Sequence, residues 1–536
     1  MSILIAAVSL YLLGTVAIGL YASSRVHGAK DFMVAGRSLP LYMNFACVFA
    51  TWFGAETLLS ISATFVNEGF TGISGDPFGA AMCLGLVAVF FARAFYRMDL
   101  LTIGDFYHKR YGKLVEVVTS LAITISYIGW TSAQMTALGL VLWVLGGDYF
   151  GAEGLPAAII TGSVIVFVYT VFGGMWSVAL TDVIQTAAIV IGLIIVAIIL
   201  GNQAGGATKV IEAAHAAGKF KFFPFGENAK VWWTFIAAFL TFGLGSIPQQ
   251  DVFQRVTSAK NEQTAVLGTL LGGTFYFFFA FIPMFIAYSA IVIAPDVYLP
   301  LFKGPAEAEV ASLEPNSALS DSSPVVIDKS ARMRESQRIL PDLVLKRTPL
   351  FCQILFFGAL LSAILSTASG TLLAPASLFT ENVLRPFVGQ MNDKVMLWTL
   401  RSVMAIFAIA ATLFALNTTG TMYEMVQNAY KVTLTMAFVP LVAGVYWTRS
   451  STQGAIFSAG FGLAGWIAAE YLCVRDWGVS ESNTPLLWHL TIIPPQMYGL
   501  ATSIVGVVVG SLLPQWIPHA EPDEVALKRT GSMVGH

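Results

Sequence analysis

Charge is scarce in this 536-residue chain: Asp, Glu, Lys and Arg make up 11% of it, against about a quarter of an ordinary soluble domain. Histidine is rarer still, and its six copies form no cluster, so neither a proton relay nor a metal centre is suggested. The four cysteines, Cys47, Cys83, Cys352 and Cys473, are scattered and show no CxxC or Cys/His spacing. That excludes a sequence-legible zinc site or disulfide framework. A formal net charge of −2 gives no reason to expect a nucleic-acid partner. Strand-period alternation is weak, which argues against a barrel. The apolar stretch from Ile3 to Ala22 lacks a preceding basic residue and is nearly of spanning length, so it reads as a retained helix and not a cleaved signal.

Apolar length is what remains. The chain is 56% hydrophobic with a mean hydropathy of +0.73. Runs of about 20 apolar residues recur throughout, the length needed to cross a bilayer as helix. The pattern predicts an all-α polytopic membrane protein with about 13 transmembrane helices, centred near residues 12, 53, 86, 130, 164, 188, 240, 279, 365, 406, 433, 463 and 502. Basic residues gather in alternate loops: Arg25, Lys30 and Arg37, then Arg93, Arg97, Lys109, Arg110 and Lys113, then Arg255 and Lys260, Arg385 and Lys394, and Arg449. NEGFTGISGD and GGDYFGAEG, in the intervening loops, carry acids and no Lys or Arg. The positive-inside rule then places the N-terminus outside and the C-terminus in the cytoplasm, as an odd number of spans also requires.

Two spans are interrupted. NFACVFATWFGAETLLSIS has Gly54 at its middle with Glu56 beside it, and WWTFIAAFLTFGLGSIPQQDVFQRV carries Gly243, Gly245 and Pro248. Gly weakens a helix interior and Pro removes a backbone donor. In a bilayer the freed carbonyls need partners, and an ion or solute is one kind. The breaks fall in spans two and seven, five apart, so the segments run in opposite directions. Paired breaks at matching positions predict inverted five-helix repeats, with a site at mid-membrane. The expected division is a first helix (1–24), a first repeat of spans two to six (25–201), and an external Gly/Ala/Lys-rich loop (202–230). A second repeat of spans seven to eleven follows (231–450), with an external loop (295–349), then spans twelve and thirteen (451–515) and a cytoplasmic tail (516–536).

The hydroxyls of SAILSTASGT in span nine pose the chemical question. They either bond back to their own helix while small neighbours pack, or they hold a cation. Sodium is a hard ion that takes oxygen ligands. Ser366 and Thr367 offer hydroxyls, the loosened turn frees the Ala363 carbonyl, and the break at Trp52–Phe53–Gly54 supplies others. Asp182 in span six is a costly intramembrane carboxylate and so a candidate site, unless it lies near the inner end where water reaches it. Glu56 reads first as a structural partner for the broken helix ends, and otherwise as facing solute or a cation. Trp52 and Trp130 line a pocket or simply fill helix interfaces. Such a pair can hold an ammonium group by cation–π attraction. Gln249 and Gln250 are polar candidates at the second break. Glu424 and Lys431 share one helix face, at no assigned place.

Four stretches carry a family likeness: DFMVAGRSLP, GGMWSVALTDVIQ, IPQQDVFQRV and LLSAILSTASGTLL. In order and spacing the chain resembles the sodium:solute symporter family, which includes sodium/proline, sodium/sugar and choline carriers, with the closest likeness to the choline branch around ATWFG. The resemblance implies the inverted-repeat fold of the amino-acid/sodium symporters, alternating access and sodium as coupling ion. It also implies a sodium site made of the Ala50, Phe53 and Ala363 carbonyls with the Ser366 and Thr367 hydroxyls. Asp182 and Ser369 would form a second ion site or an exit path, although Gly370 lacks the hydroxyl that some members have there. The choline branch has tryptophans at the positions of Trp52 and Trp130, and a third where this chain has Gln249.

The expected function is a sodium-coupled symporter, not an enzyme, that imports a small organic solute across the plasma or inner membrane and needs no organic cofactor. An ammonium compound, an amino acid and a carboxylate all fit such a pocket. A transporter-like solute sensor is the competing class, disfavoured by the short tail, and proton coupling through Glu56 or Asp182 is the competing mechanism.

Overall fold

The computed structural model describes residues 2–151, 154–301, 333, 335–389, 391–474 and 490–517. Most of the external loop 295–349 and of the tail 516–536 therefore lies outside the described residues, as do Ala152 and Glu153 of GGDYFGAEG. No strand occurs among the described residues; one isolated bridge joins Leu39 to Ala259.

Ten helices are long and apolar enough to cross a bilayer, or up to twelve when each of two bent pairs counts as one span. Span one is Ser2–Ala22. Span two is the bent pair Leu41–Trp52 and Glu56–Gly72, at 55°; span seven is the pair Ala229–Gly245 and Gln250–Ser258, at 44°. Spans three, four, six and eight are Ser74–Arg97, Lys113–Leu145, Gly174–Gln203 and Glu262–Ile293. Spans nine, ten and eleven are Leu350–Val388, Asp393–Asn417 and Met422–Tyr446. Thr452–Val474 and Pro495–Leu512 are spans twelve and thirteen. The helix at the fifth expected position, Leu155–Val171, has only 17 residues. A short helix, Ile103–Tyr111, joins spans three and four, and its first turn is closed by a reciprocal Thr102/Asp105 cap.

Packing follows a two-fold rule. Span four packs on span eleven, and span six on span nine. Span two packs on span eight, and span seven on span three. Span two also meets span six, as span seven meets span eleven; span four meets span five, as span nine meets span ten. Each pair turns into the other when spans two to six are exchanged for spans seven to eleven. Both broken spans therefore occupy equivalent places in one arrangement.

Without a hydrophobic force between helices in lipid, close backbone approach is what drives such contacts. Glycine supplies it at matched interfaces. A Cβ at Gly129 of span four would lie 2.8 Å from the Met425 carbonyl oxygen of span eleven. A Cβ at Gly192 of span six would lie 2.8 Å from the Leu355 carbonyl oxygen of span nine.

Those two contacts give a test. Gly129→Val and Gly192→Val should each destabilise the protein in detergent by about 1–3 kcal/mol, the usual cost of overpacking. Gly85→Ala, with nothing within 4 Å of its Cβ, should melt like the parent. Equal melting temperatures for all three would refute the close-packed interfaces.

Candidate cation and solute site

The first break is built by side chains from span four. Helix Leu41–Trp52 ends at Phe53, whose φ of −85° and ψ of 70° leave the helical region. The chain resumes as a widened turn over Glu56–Ile61, a form often found at functional sites. The Ala55 amide, freed by the break, donates to Gln134 Oε1 at 3.1 Å. Gln134 Nε2 and Trp130 Nε1 donate in turn to the Glu56 carboxylate, at 2.5 and 3.1 Å. Gly54 is required by close approach: a Cβ there would sit 2.5 Å from Glu56 Oε2 and 2.8 Å from Thr367 Oγ1.

Span nine faces the same break from the other side. Thr367 donates from Oγ1 towards the Thr51 and Ala50 carbonyls, at 3.1 and 3.3 Å. Ser366, one position before, turns to span six and donates to Asp182 Oδ1 at 2.5 Å. Ser369 bonds its own helix, at the Ser366 carbonyl, 2.9 Å away. Ala50, Phe53, Ala363, Ser366 and Thr367 are all fully buried. The structure thus brings Thr367, Ala50 and the end of the first half-helix together. Phe53 lies at that end, Ala363 one turn before Thr367, and the Ser366 hydroxyl is engaged by Asp182.

One alternative for Asp182 is set aside here, and one expectation, for Arg255, needs correction. Asp182 is 0% exposed, so water does not reach it as at a helix end, and its Oδ2 has no hydrogen-bond partner. Arg255, counted above among the loop cations, is 2% exposed and lies inside the bundle. Its Nε donates to Thr51 Oγ1 at 2.9 Å and its Nη1 reaches the Asp251 carbonyl at 3.4 Å. A Cβ at Gly370 would lie 2.5 Å from Arg255 Nη2. The missing hydroxyl at Gly370 is therefore space that the guanidinium uses.

An aromatic box closes over the break. Trp52 and Trp130 lie 6.2 Å apart between ring centroids. Tyr430 of span eleven sits 6.3 Å from Trp52 and 5.5 Å from Trp130, and Tyr276 of span eight sits 6.3 Å from Trp52. At the second break, Gln249 donates from Nε2 to Ser126 Oγ at 3.2 Å and to Thr433 Oγ1 at 3.4 Å, while its Oε1 is buried without a partner. Gln250 instead holds the Ile103 amide, 2.8 Å from Oε1, outside the box. Lys431 is also away from it, donating to Asn428 Oδ1 at 2.9 Å, and Glu424 belongs to the Thr421 helix cap.

Several residues here escaped the sequence reading. Asp76 closes NEGFTGISGD, read as an external loop, yet it is buried and accepts from Thr57 Oγ1 at 3.0 Å and from the Tyr276 hydroxyl. Its place beside Pro77 and glycines looked like a turn, and no periodicity marks it. Gln134, Tyr276 and Tyr430 sit in unbroken spans with no local signal. Thr51, flanking Trp52, was within reach of the sequence.

Comparison with known proteins follows the same lines. The family model described as sodium:solute symporter family matches residues 32–462. The chain is 25% identical over 459 residues to the high-affinity choline transporter 1 of Drosophila melanogaster, covering 84% of this chain and 68% of that protein. It is 25% identical over 481 residues to the osmoregulated proline transporter OpuE of Bacillus subtilis (strain 168), covering 86% and 87%. A solved Na+-coupled sialic acid symporter, in a substrate-bound outward-open state, shares the fold, with a TM-score of 0.71 and 18% identity over 97% of this chain and 99% of that one.

The first break depends on one amide. Gln134→Leu would leave the Ala55 N–H and one Glu56 oxygen buried without partners, each costing about 1–3 kcal/mol and more for the charged group. Glu56→Gln alone should cost less: it sets an NH2 against the Gln134 Nε2 donor, but it keeps a carbonyl oxygen for Trp130, removes the buried charge and leaves the Ala55 N–H its acceptor. Chemical denaturation in detergent showing Gln134→Leu no less stable than Glu56→Gln would refute this arrangement.

Proposed function

The chain belongs to the sodium:solute symporter family, and from that premise we propose that it imports a small organic ammonium compound, choline among the candidates, by alternating access. Sodium-coupled symport across a membrane is the established part. The solute, the direction and the residues are the proposal.

The observation that carries it is the Thr367 hydroxyl facing the Ala50 and Thr51 carbonyls at the broken end of span two, next to the aromatic box. Sodium at this place would take oxygens from Thr367, Ala50, Phe53 and Ala363, with Ser366 joining when it leaves Asp182. Binding there ties span nine to the first half of span two and so fixes the ring of Trp52. The solute gains a pre-ordered box, and sodium gains affinity by the same factor when solute is bound. Each charge carried inward is driven by about 2.3 kcal/mol per 100 mV of membrane potential.

The box supports an ammonium group. Trp52, Trp130, Tyr276 and Tyr430 present ring faces and edges, and a desolvated cation over such rings gains about 2 kcal/mol or more. The unpartnered Gln249 Oε1 would accept from a hydroxyl or amine on the same solute. The choline relatives' names point the same way. Orientation rests on the charge rule alone, with the loop cations Arg25, Lys30, Arg93, Arg97, Lys109, Lys113, Arg385 and Lys394 on the inner side. The N-terminus is then outside and the C-terminus cytoplasmic.

Purified protein in liposomes under an imposed inward sodium gradient should accumulate choline above its bath concentration. Thr367→Ala should raise the sodium concentration for half-maximal uptake about tenfold, the equivalent of about 1.4 kcal/mol, while still folding. Binding without accumulation would favour a sensor, and uptake that follows a pH gradient and ignores sodium would favour proton coupling. Either result overturns the proposal.

A further inference from the structure

Asp76 has no place in the site as assigned above, and its surroundings are unusual. The Thr57 hydroxyl oxygen lies 3.0 Å from Asp76 Oδ2, 3.2 Å from the Tyr276 hydroxyl and 3.3 Å from the Trp52 carbonyl oxygen. The Tyr276 hydroxyl donates to Asp76 Oδ1. Five oxygens from spans two, three and eight thus share one volume, and all four residues are buried.

Hydrogen counting shows what is missing. Thr57 and Tyr276 bring one hydroxyl proton each. Both can point at the Asp76 carboxylate, which still has acceptor capacity for about two more donors. The Trp52 carbonyl belongs to the last turn of its half-helix, where carbonyls lack intrahelical partners. Glu56 gives the contrast: its two oxygens are met by the Trp130 and Gln134 N–H donors. Among the described residues, no Lys, Arg or His forms an ion pair with Asp76. A buried carboxylate without a counter-charge is expensive.

We propose that Asp76, Thr57, Tyr276 and the Trp52 carbonyl form a second site for a monovalent cation, occupied by sodium. The site is hard and all-oxygen, which suits sodium. It has a single carboxylate, which matches one positive charge. The described residues hold no group of three acidic, imidazole or thiol side chains of the kind a divalent or transition metal would use.

The location gives the site a purpose. The Ala50 and Thr51 carbonyls face Thr367, whereas the next carbonyl, of Trp52, points about 100° further round the helix, as 3.6 residues per turn requires. One frayed helix end therefore feeds two oxygen clusters on different faces. The first cluster ties span two to span nine. The second ties it to spans three and eight. The first would fix the turn that leads into Trp52 and the second would hold the Trp52 carbonyl itself, so each ion would help order the solute box. The inference rests on sodium coupling as described above and adds to it a stoichiometry of two.

Equilibrium binding of radioactive sodium to the purified, solute-free protein tests it. The wild type should bind two sodium ions per chain, and Asp76→Asn one. Thr57→Val and Tyr276→Phe keep shape and remove one neutral oxygen each; either should weaken one of the two binding phases about tenfold and serves if Asp76→Asn does not fold. Thr367→Ala should weaken the other phase. One sodium in the wild type, or two retained at unchanged affinity in all three variants, would overturn the second site. A single wild-type sodium, combined with loss of choline-induced thermal stabilisation in Asp76→Asn, would overturn it too and give Asp76 to the solute. No sodium binding at all would instead defeat the coupling on which the proposed function stands.

Discussion

A helix that stops in the middle of a bilayer exposes carbonyls and amides that lipid cannot satisfy, and this protein is organised around meeting that need at Trp52–Gly54. The Gln134 side chain takes the amide of Ala55. The Thr367 hydroxyl takes the carbonyls of Ala50 and Thr51. Around them stand further oxygens: the Trp52 carbonyl, met by the Thr57 hydroxyl, and the Asp76 and Asp182 carboxylates. Oxygen surplus in a dry interior favours a cation, which is why we propose the ion site at the break. Gly54 is the small residue that lets Glu56 and Thr367 approach from opposite sides.

The second constraint is charge. Around the two breaks lie Glu56, Asp76, Asp182 and Asp251, all buried, and among the buried residues there Arg255 is the one fixed cation. Arg255 serves Thr51 and the Asp251 region. Asp182 meets the Ser366 hydroxyl, the Cys47 thiol and the field of Arg255, whereas Asp76 meets only the Thr57 and Tyr276 hydroxyls. A surplus of acids is costly in the empty protein and favourable once cations arrive. On the proposed reading, such a balance would couple ion binding to helix closure, because the ions would relieve repulsion between the spans.

Much of the architecture was legible from the chain alone, for identifiable reasons. Span length and Gly/Pro interruptions are local properties, so spans two and seven and their five-span offset could be read directly. The exchange symmetry of the contacts needed three dimensions, but it rests on the same offset. Trp52 was singled out because it stands at a break, and Trp130, Ser366 and Thr367 because an aromatic ring or paired hydroxyls in an apolar span can line a pocket or hold a cation. Asp76, Tyr276 and Tyr430 were not, since what matters about them is distance across the bundle. Arg255 shows the opposite error: at a span's end it looks like a loop charge, and only the fold turns it inwards. Gln134 leaves no trace in sequence beyond being an amide in an apolar helix.

The central claim is that sodium ties the broken end of span two to span nine. Amide hydrogen exchange measured on the protein in sodium and in potassium, without solute, addresses it most directly. Sodium should slow exchange over residues 50–58 and 363–370 and leave spans twelve and thirteen unaffected. Identical exchange over these two segments in both salts, in protein that still requires sodium for uptake, would contradict it.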